Sequence, residues 1–406
     1  MFLLTLIVFF IILGIVVLIH EWGHFIVARK NGILVEEFGF GMPPRLIGIQ
    51  RLGNRWKLIP GTKPPEDITA TVYSINSLPL GGFVKLYGDG AGGEGGTVEP
   101  KLAHLALDNK SVWARAAVMI SGIVMNLVLG VGIYFALLAT NNFTSDPLPS
   151  IGDPTFAFGT KKDYVAVLSV RDNSPAQKAG LKPEDIVLRF NESAQASGPW
   201  VTVRKPEDLI NAVKQNGAKT ILLEIRNAKD GLVRVVPVTP VYDKPEKRAL
   251  IGVGLMNYFS LSYQKPEEKL FSGILHSYNL LRYNTHILSQ LVGHSVERKD
   301  ATIIGEAVSG PVAIGRVVNE MLRTSGEMLI RNLLNLTALI SLSLAVMNIL
   351  PIPALDGGRL ALLIPEMVTG RRINQRVERI VNTAGFFFLI GLSILITIKD
   401  VTNLFQ

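Results

Sequence analysis

Apolar residues run almost unbroken from Phe2 to Phe25, and comparable runs return near residues 113–140, 329–350 and 380–398. A helix of about 20 residues crosses a hydrocarbon core of about 30 Å, so the pattern predicts four transmembrane helices. The first run ends on Arg29-Lys30, and the stretch after the third carries Arg359, Arg371, Arg372, Arg376 and Arg379. Cationic flanks mark the cytoplasmic side. Both of those ends are therefore predicted cytoplasmic, both termini outside, and the long 141–328 stretch extracytoplasmic. No basic segment precedes the first run and no small-x-small cleavage pattern follows it. It reads as a retained helix, not a removed signal.

Between the runs the period changes. In residues 31–112, Phe38-Gly39-Phe40-Gly41 and Leu78-Pro79-Leu80-Gly81-Gly82-Phe83-Val84-Lys85-Leu86 read as short strands with glycine bends. The pattern allows either an ordinary cytoplasmic hairpin or a small sheet dipping along the membrane toward a watery cavity. Gly88 to Gly96 has no strand–helix context for phosphate binding and reads as a loop. Residues 141–161 form a linker with several prolines. Over 162–243, Val165–Val170, Ile186–Phe190, Ile221–Ile225 and Val233–Val238 have strand composition, and Pro206–Gln215 reads as a helix. That is a compact mixed α/β domain inserted into the membrane chain. Residues 244–328 are predicted to be an amphipathic surface-helical region. There Leu270, Ile274, Leu275, Leu281, Ile287, Leu288 and Leu291 line one apolar face, and Ser309-Gly310-Pro311 breaks the pattern.

Composition supports this division. The 406 residues are 48% hydrophobic and 18% charged, too apolar for a soluble protein and too charged for spans alone. A net charge of +8 could indicate nucleic acid, but no basic run is interleaved with aromatics. The cations are assigned to membrane flanks, and no nucleic-acid partner is expected. The absence of cysteine excludes disulfides and thiolate metal ligands.

The first run contains His20-Glu21-Trp22-Gly23-His24. Residues i and i+4 share a helix face, so both imidazoles can ligate one metal ion, with Glu21 beside that face to act on water. Such residues are costly within a membrane unless they face a cavity and do work there. Two histidines are too few for a catalytic zinc site, which usually has three protein ligands. His104, His276, His286 and His294 lie outside the spans and read as surface or packing residues. Asp356, in Asn348-Ile349-Leu350-Pro351-Ile352-Pro353-Ala354-Leu355-Asp356-Gly357-Gly358-Arg359, lies at the same membrane end as the histidine pair. Prolines stop the third span there, and the glycines after Asp356 allow a tight turn that exposes its carboxylate. Two readings stay open at this stage: a third ligand, or a plain Asp-Gly turn.

Together these segments resemble the site-2 protease family of intramembrane zinc metalloproteases, and among them the bacterial RseP-type members, which are regulator of sigma-E protease-like. The resemblance rests on H-E-W-G-H with N-I-L-P-I-P-A-L-D-G-G. F-G-F-G at 38–41, L-P-L-G-G-F-V-K-L at 78–86, Asn126 and S-G-P-V-A-I at 309–314 extend it. Asn173-Ser174-Pro175-Ala176-Gln177-Lys178-Ala179-Gly180-Leu181 resembles a PDZ signature, so the 162–243 domain is identified as one PDZ domain. The resemblance implies that His20, His24 and Asp356 hold one Zn2+ ion and that Glu21 is the general base. It assigns Asn348, with Gly81, Gly82 and Phe83, to substrate contact. One departure is Gly122-Ile123, where the family often has Gly-Pro.

The implied architecture is 1–30 first span, 31–112 cytoplasmic-side β region, 113–140 second span, 141–161 linker, 162–243 PDZ domain and 244–328 helical region. The third span with its Asp motif covers 329–358, a cytoplasmic loop 359–379, and the fourth span with the tail 380–406. The implied location is the bacterial cytoplasmic (inner) membrane, with the centre toward the cytoplasm and the PDZ domain outside. Expected partners are the lipid bilayer, single-span membrane substrates such as anti-sigma-factor-like regulators or remnant signal peptides, and a peptide ligand of the PDZ domain. The competing classes are a catalytically silent zinc-binding membrane scaffold and a metal transporter. Glu21 argues against the scaffold, which needs no base, and polar residues clustered at one depth argue against the transporter.

Overall fold

A computed structural model describes residues 1–90, 98–152, 154–194, 198–227, 231–243, 248–298, 310–323 and 326–402. Most of the glycine-rich stretch after Gly90, and Ser309, lie outside the described residues. The chain forms two compact units, residues 1–137 with 291–406, and residues 138–290.

The first unit opens with α1 (Phe2–Lys30), 29 residues long and carrying no charge before Glu21. At about 1.5 Å per residue it exceeds the thickness of a hydrocarbon core. It ends where Gly32 takes a left-handed φ of +64°, a conformation that favours glycine, and Ile33 N–H returns to the Ala28 carbonyl. Strands β1 (Val35–Leu52), β2 (Arg55–Pro60) and β3 (Val72–Leu86) follow as an antiparallel sheet in the order β2-β1-β3. Ile49 faces Leu58 on one side and Tyr73 on the other, and Ile47 faces Ile75. These positions share one face, on which Ile47, Ile49, Trp56, Leu58 and Ile75 are exposed. The opposite face buries Gln50, whose amide donates to the Asp67 and Ala70 carbonyls at 2.6 and 2.8 Å and pins the intervening loop. Ile59 and Val72 are buried on that face too, so the sheet buries one mixed face and turns apolar side chains outward on the other, unlike a soluble sheet. Two 3-10 turns lead into α2 (Val112–Ala139).

The second unit contains β4 (Leu148–Pro149), β5 (Thr160–Val170), α3 (Pro175–Lys178), β6 (Ile186–Asn191), β7 (Val201–Thr202) and α4 (Pro206–Asn216). It continues with β8 (Ile221–Arg226), β9 (Val233–Val238), β10 (Val241–Asp243), β11 (Arg248–Leu250), β12 (Val253–Ser262), α5 (Pro266–Leu270) and the start of α6 (Ser272–Arg298). Its main sheet runs β4-β12-β5-β6-β8-β9, with β7 on β6. Val165, Leu209, Ile221, Leu223 and Ile225 form its core. The 244–328 region predicted as helical therefore begins with two strands. β12 pairs along β5 from Ser262–Thr160 to Val253–Val170, and β4 lies inside the predicted linker. That pairing is set by a partner distant in sequence, which a local period does not register. The single apolar face expected on 270–291 also divides. Leu275 and Ile287 pack on Phe259 and Tyr283, whereas Leu270, Ile274 and Leu288 are exposed.

The chain returns to the first unit through α7 (Pro311–Met321), α8 (Glu327–Ile349), α9 (Asp356–Thr369) and α10 (Gln375–Thr402). Among the described residues four helices are long and apolar enough to span a bilayer: α1, α2, α10 and, over Met328–Ile349, α8. Large apolar side chains stand outward on them, Phe2, Leu3, Ile7 and Ile11 on α1 and Phe386, Phe387, Phe388 and Leu395 on α10. Lipid, not water, suits such a surface, while the helices satisfy their own backbone groups. The chain is a membrane protein that also carries β sheet.

Candidate metal centre

α1 presents His20 and His24 on one face, and both are buried. Their ring centroids are 4.8 Å apart and their Nε2 atoms 3.2 Å apart. The neighbour is α2, which approaches closely because both helices use glycine at the crossing. A Cβ on Gly23 would lie 2.4 Å from the Ser121 carbonyl oxygen, and one on Gly122 would lie 2.6 Å from His20 Cε1 and His24 Nε2. Residues 118, 122 and 126 form one stripe of α2 by i+4 spacing, and each meets the histidines. His24 Nδ1 is 2.7 Å from the Val118 carbonyl oxygen, which only accepts, so Nδ1 carries the hydrogen and Nε2 keeps its lone pair. The fully buried Asn126 places its amide 3.3 Å from His20 Nδ1. Its Oδ1 otherwise has no partner. Turning that amide by 180° lets Oδ1 accept from Nδ1–H and frees the second Nε2.

Asp356 arrives from the other side. Pro351 and Pro353 hold the chain extended after α8, Ala354 takes φ +73°, and Asp356 begins α9. Gly357 and Gly358 allow the turn to close, since a Cβ on either would lie 2.3 Å from the Leu350 or 2.1 Å from the Ile352 carbonyl oxygen. Asp356 Oδ2 then stands 3.0 Å from His20 Nε2 and 3.3 Å from His24 Nε2. Asn348, near the end of α8, points Nδ2 to within 3.5 Å of His20 Nε2, and Ser341 donates to the Asn126 carbonyl at 2.8 Å. These contacts join α1, α2, α8 and α9 around one point.

The donor set fits a metal ion. Two imidazole lone pairs and a carboxylate oxygen that is buried without a hydrogen-bond partner converge at 3.0–3.3 Å. Tetrahedral ligands about 2.0–2.1 Å from zinc are separated by about 3.3 Å. Glu21 lies in the same group, with ligand atoms of His20, Glu21 and His24 all within 4.8 Å of one another. Its carboxylate lies near the Val84 backbone N–H, which places β3 beside it. Gly81 and Gly82 make that approach possible: a Cβ on Gly81 would lie 2.8 Å from Val17, and one on Gly82 would lie 3.3 Å from Leu18. Phe83 follows in the same strand, paired with Gly39.

The residues singled out in the sequence thus come together, His20, His24, Asp356 and Asn348 directly and Gly81–Phe83 one turn away along α1. Sequence reasoning passed over Gly122 as a fitted surface and Val118 as a carbonyl acceptor. The i+4 spacing of Gly122 from Asn126 was the available signal for Gly122, whereas a backbone carbonyl such as that of Val118 leaves none. The four other histidines are not at this centre. His276 is buried in the second unit, where Tyr263 O–H donates to its Nδ1 at 3.1 Å, and burial pushes its pKa down to about 4.

Membrane helices around a His-Glu-His group and a converging aspartate define a metalloprotease-type centre. A sequence model of peptidase family M50 matches residues 8–61 and 66–392. A Clostridium acetobutylicum protein named provisionally as a zinc metalloprotease is 33% identical over 390 residues, covering 96% of this chain and 94% of its own. Similarly named proteins from Clostridium perfringens and a Synechocystis species are 29% and 28% identical, each covering at least 93% of both chains. The chain belongs to peptidase family M50, the site-2 protease family.

Proposed function

We propose that the chain is an intramembrane zinc endopeptidase that cuts single-span membrane proteins. The observation that carries this reading is the convergence of His20, His24 and Asp356 within 3.3 Å of one another beside Glu21. His20, His24 and Asp356 would hold the ion. When bound, Zn2+ polarises the scissile carbonyl and lowers the pKa of water toward ~7. Glu21 takes the proton from the attacking water and delivers it to the leaving amine, so one peptide bond and one water become a carboxylic acid and an amine. Asn348, beside His20, is assigned to the substrate carbonyl region.

A helical substrate has its carbonyls already bonded and must be unwound first. The Gly82–Leu86 half of β3 pairs on one side with Val35–Phe40, whereas Val72–Ile75 is paired on both sides, so an unwound segment can add to that edge near Phe83, with Gly81 and Gly82 seating the strand against α1. The exposed apolar face of that sheet supports immersion in the interfacial lipid. The cationic flanks support a centre on the cytoplasmic side of a bacterial cytoplasmic membrane and an extracytoplasmic second unit. In that unit α4, β11 and β12 border a groove of about 460 Å³ lined by Leu209, Val213, Ile251 and Leu255, with Arg171 and Lys214 at its rim. This supports a PDZ-like peptide module that restricts which substrates proceed. Anti-sigma-factor-like regulators and remnant signal peptides fit that description, and the setting would be regulated intramembrane proteolysis.

Side-by-side measurement of zinc content and reporter cleavage tests the assignment. Glu21→Gln should keep about one zinc per chain and lose at least ~10²-fold in cleavage. His20→Ala and Asp356→Ala should lose both. Wild-type cleavage by Glu21→Gln would overturn Glu21 as the general base, and zinc binding without cleavage by the wild type would leave a metal-binding scaffold as the better reading.

A further inference from the structure

The turn that delivers Asp356 is strained. Ala354 has φ +73°, where a side chain is disfavoured, and such a turn persists only when its surroundings hold it. α10 supplies part of that support. Ala354 N–H donates to Asn382 Oδ1 at 3.4 Å, and Gly385 lies so close to Pro353 that a Cβ there would be 2.4 Å from the ring. These contacts fix the entrance to the turn and leave the rotation of α9 about its axis to be set elsewhere.

Arg359 lies three residues after Asp356, in the first turn of α9. A cation there opposes the positive end of the helix dipole and is misplaced unless paired. Its guanidinium forms an ion pair with Asp89, in the loop that follows β3, and the side chains are only 19% and 18% exposed. Arg359 Nη1 also reaches Met119 Sδ at 3.9 Å, next to the Val118 that orients His24. Arg379 also joins this loop, donating to the Gly90 carbonyl at 3.2 Å, and Arg372 donates to the Asp108 carbonyl in the second 3-10 turn at 2.7 Å. Arg115 pairs with Glu366 farther along α9. The Arg359–Asp89 pair lies within one turn of Asp356, whereas Glu366 lies farther along the helix.

We propose that Arg359 and Asp89 are a positioning pair that fixes the rotation of α9 and so aims Asp356 at His20 and His24. The proposal rests on Asp356 being the third metal ligand. It makes the loop after β3 a support of the metal centre, so that the segment beside Glu21 and the helix bearing the third ligand are held by one ion pair. Neutralising either partner breaks the link between this loop and α9 and frees α9 to turn.

The test uses the full chain, purified in detergent and loaded with zinc, and follows zinc transfer to a chromogenic chelator together with kcat and KM on a single-span reporter. Arg359→Gln and Asp89→Asn should each release zinc at least ~10-fold faster and lower kcat with KM nearly unchanged. The double variant should be no worse than the worse single one, because the pair acts as a unit. Arg359→Lys, which keeps the charge, should fall between wild type and Arg359→Gln. Glu366→Gln, which breaks an ion pair farther along the same helix, should release zinc at the wild-type rate. Wild-type release by Arg359→Gln and Asp89→Asn, or multiplying effects in the double variant, would overturn the proposal. Zinc retention by Asp356→Ala would instead overturn the ligand assignment beneath it. Loss by Asp356→Ala with no change in Arg359→Gln would remove the positioning pair alone.

Discussion

Gly122 contributes no chemistry of its own, yet the centre depends on its lack of a side chain. A Cβ there would be 2.6 Å from an atom of each imidazole, closer than such contacts allow, and neither ring can retreat because His24 is fixed on Val118 and His20 on Asn126. Gly122→Ala is therefore expected to release zinc at least ~10-fold faster in chelator competition. Gly132 in the same helix faces open space, and Gly132→Ala should leave zinc release unchanged. Equal behaviour of the two variants would mean that α2 does not shape the site. His20, Glu21 and His24 were legible because i and i+4 define a helix face without tertiary information. Asp356 was legible only as one of two readings, since a ligand and a turn share the same letters. Val118 was not legible, because a backbone carbonyl leaves no mark in the residue type.

At the scale of elements, long spans survive reading from sequence because each satisfies its own backbone and needs only lipid around it. Strands need partners, and β12 shows the consequence: its place beside β5 turns a predicted helical region into part of a sheet. α6 shows another, since its apolar positions divide between a packed side and an exposed side. That helix also buries His276, bonded to Tyr263, which in turn accepts from Asn279 at 3.1 Å. Burial lowers the His276 pKa from 6.5 to about 4, so the folded unit stays neutral there while the unfolded chain takes up a proton. The contribution is complete above pH about 6.5 and is lost as pH falls toward about 4, with a span of ~3 kcal/mol. Thermal melts of the full chain in detergent should show the second unit losing stability over that window, and His276→Gln should flatten the dependence. An unchanged pH profile in the variant would assign the acid sensitivity to other groups.

At the scale of the whole molecule, four candidate membrane helices among the described residues and a sheet with an exposed apolar face beside the first set the chemistry of a metalloprotease within apolar surroundings. The membrane setting was plain from the runs of apolar residues. The sheet's orientation was not, because exposed apolar faces on Ile47, Ile49, Trp56, Leu58 and Ile75 emerge only once the register is known. The central claim is that peptide bonds are cut within a membrane segment by water activated beside Glu21. Its most direct test is to reconstitute the zinc-loaded chain with a single-span reporter in liposomes and map the new termini by mass spectrometry. The account predicts a cut inside the apolar segment by wild type and none by Glu21→Gln. Termini confined to the flanking soluble sequence, or the same intramembrane cut by Glu21→Gln, would contradict it.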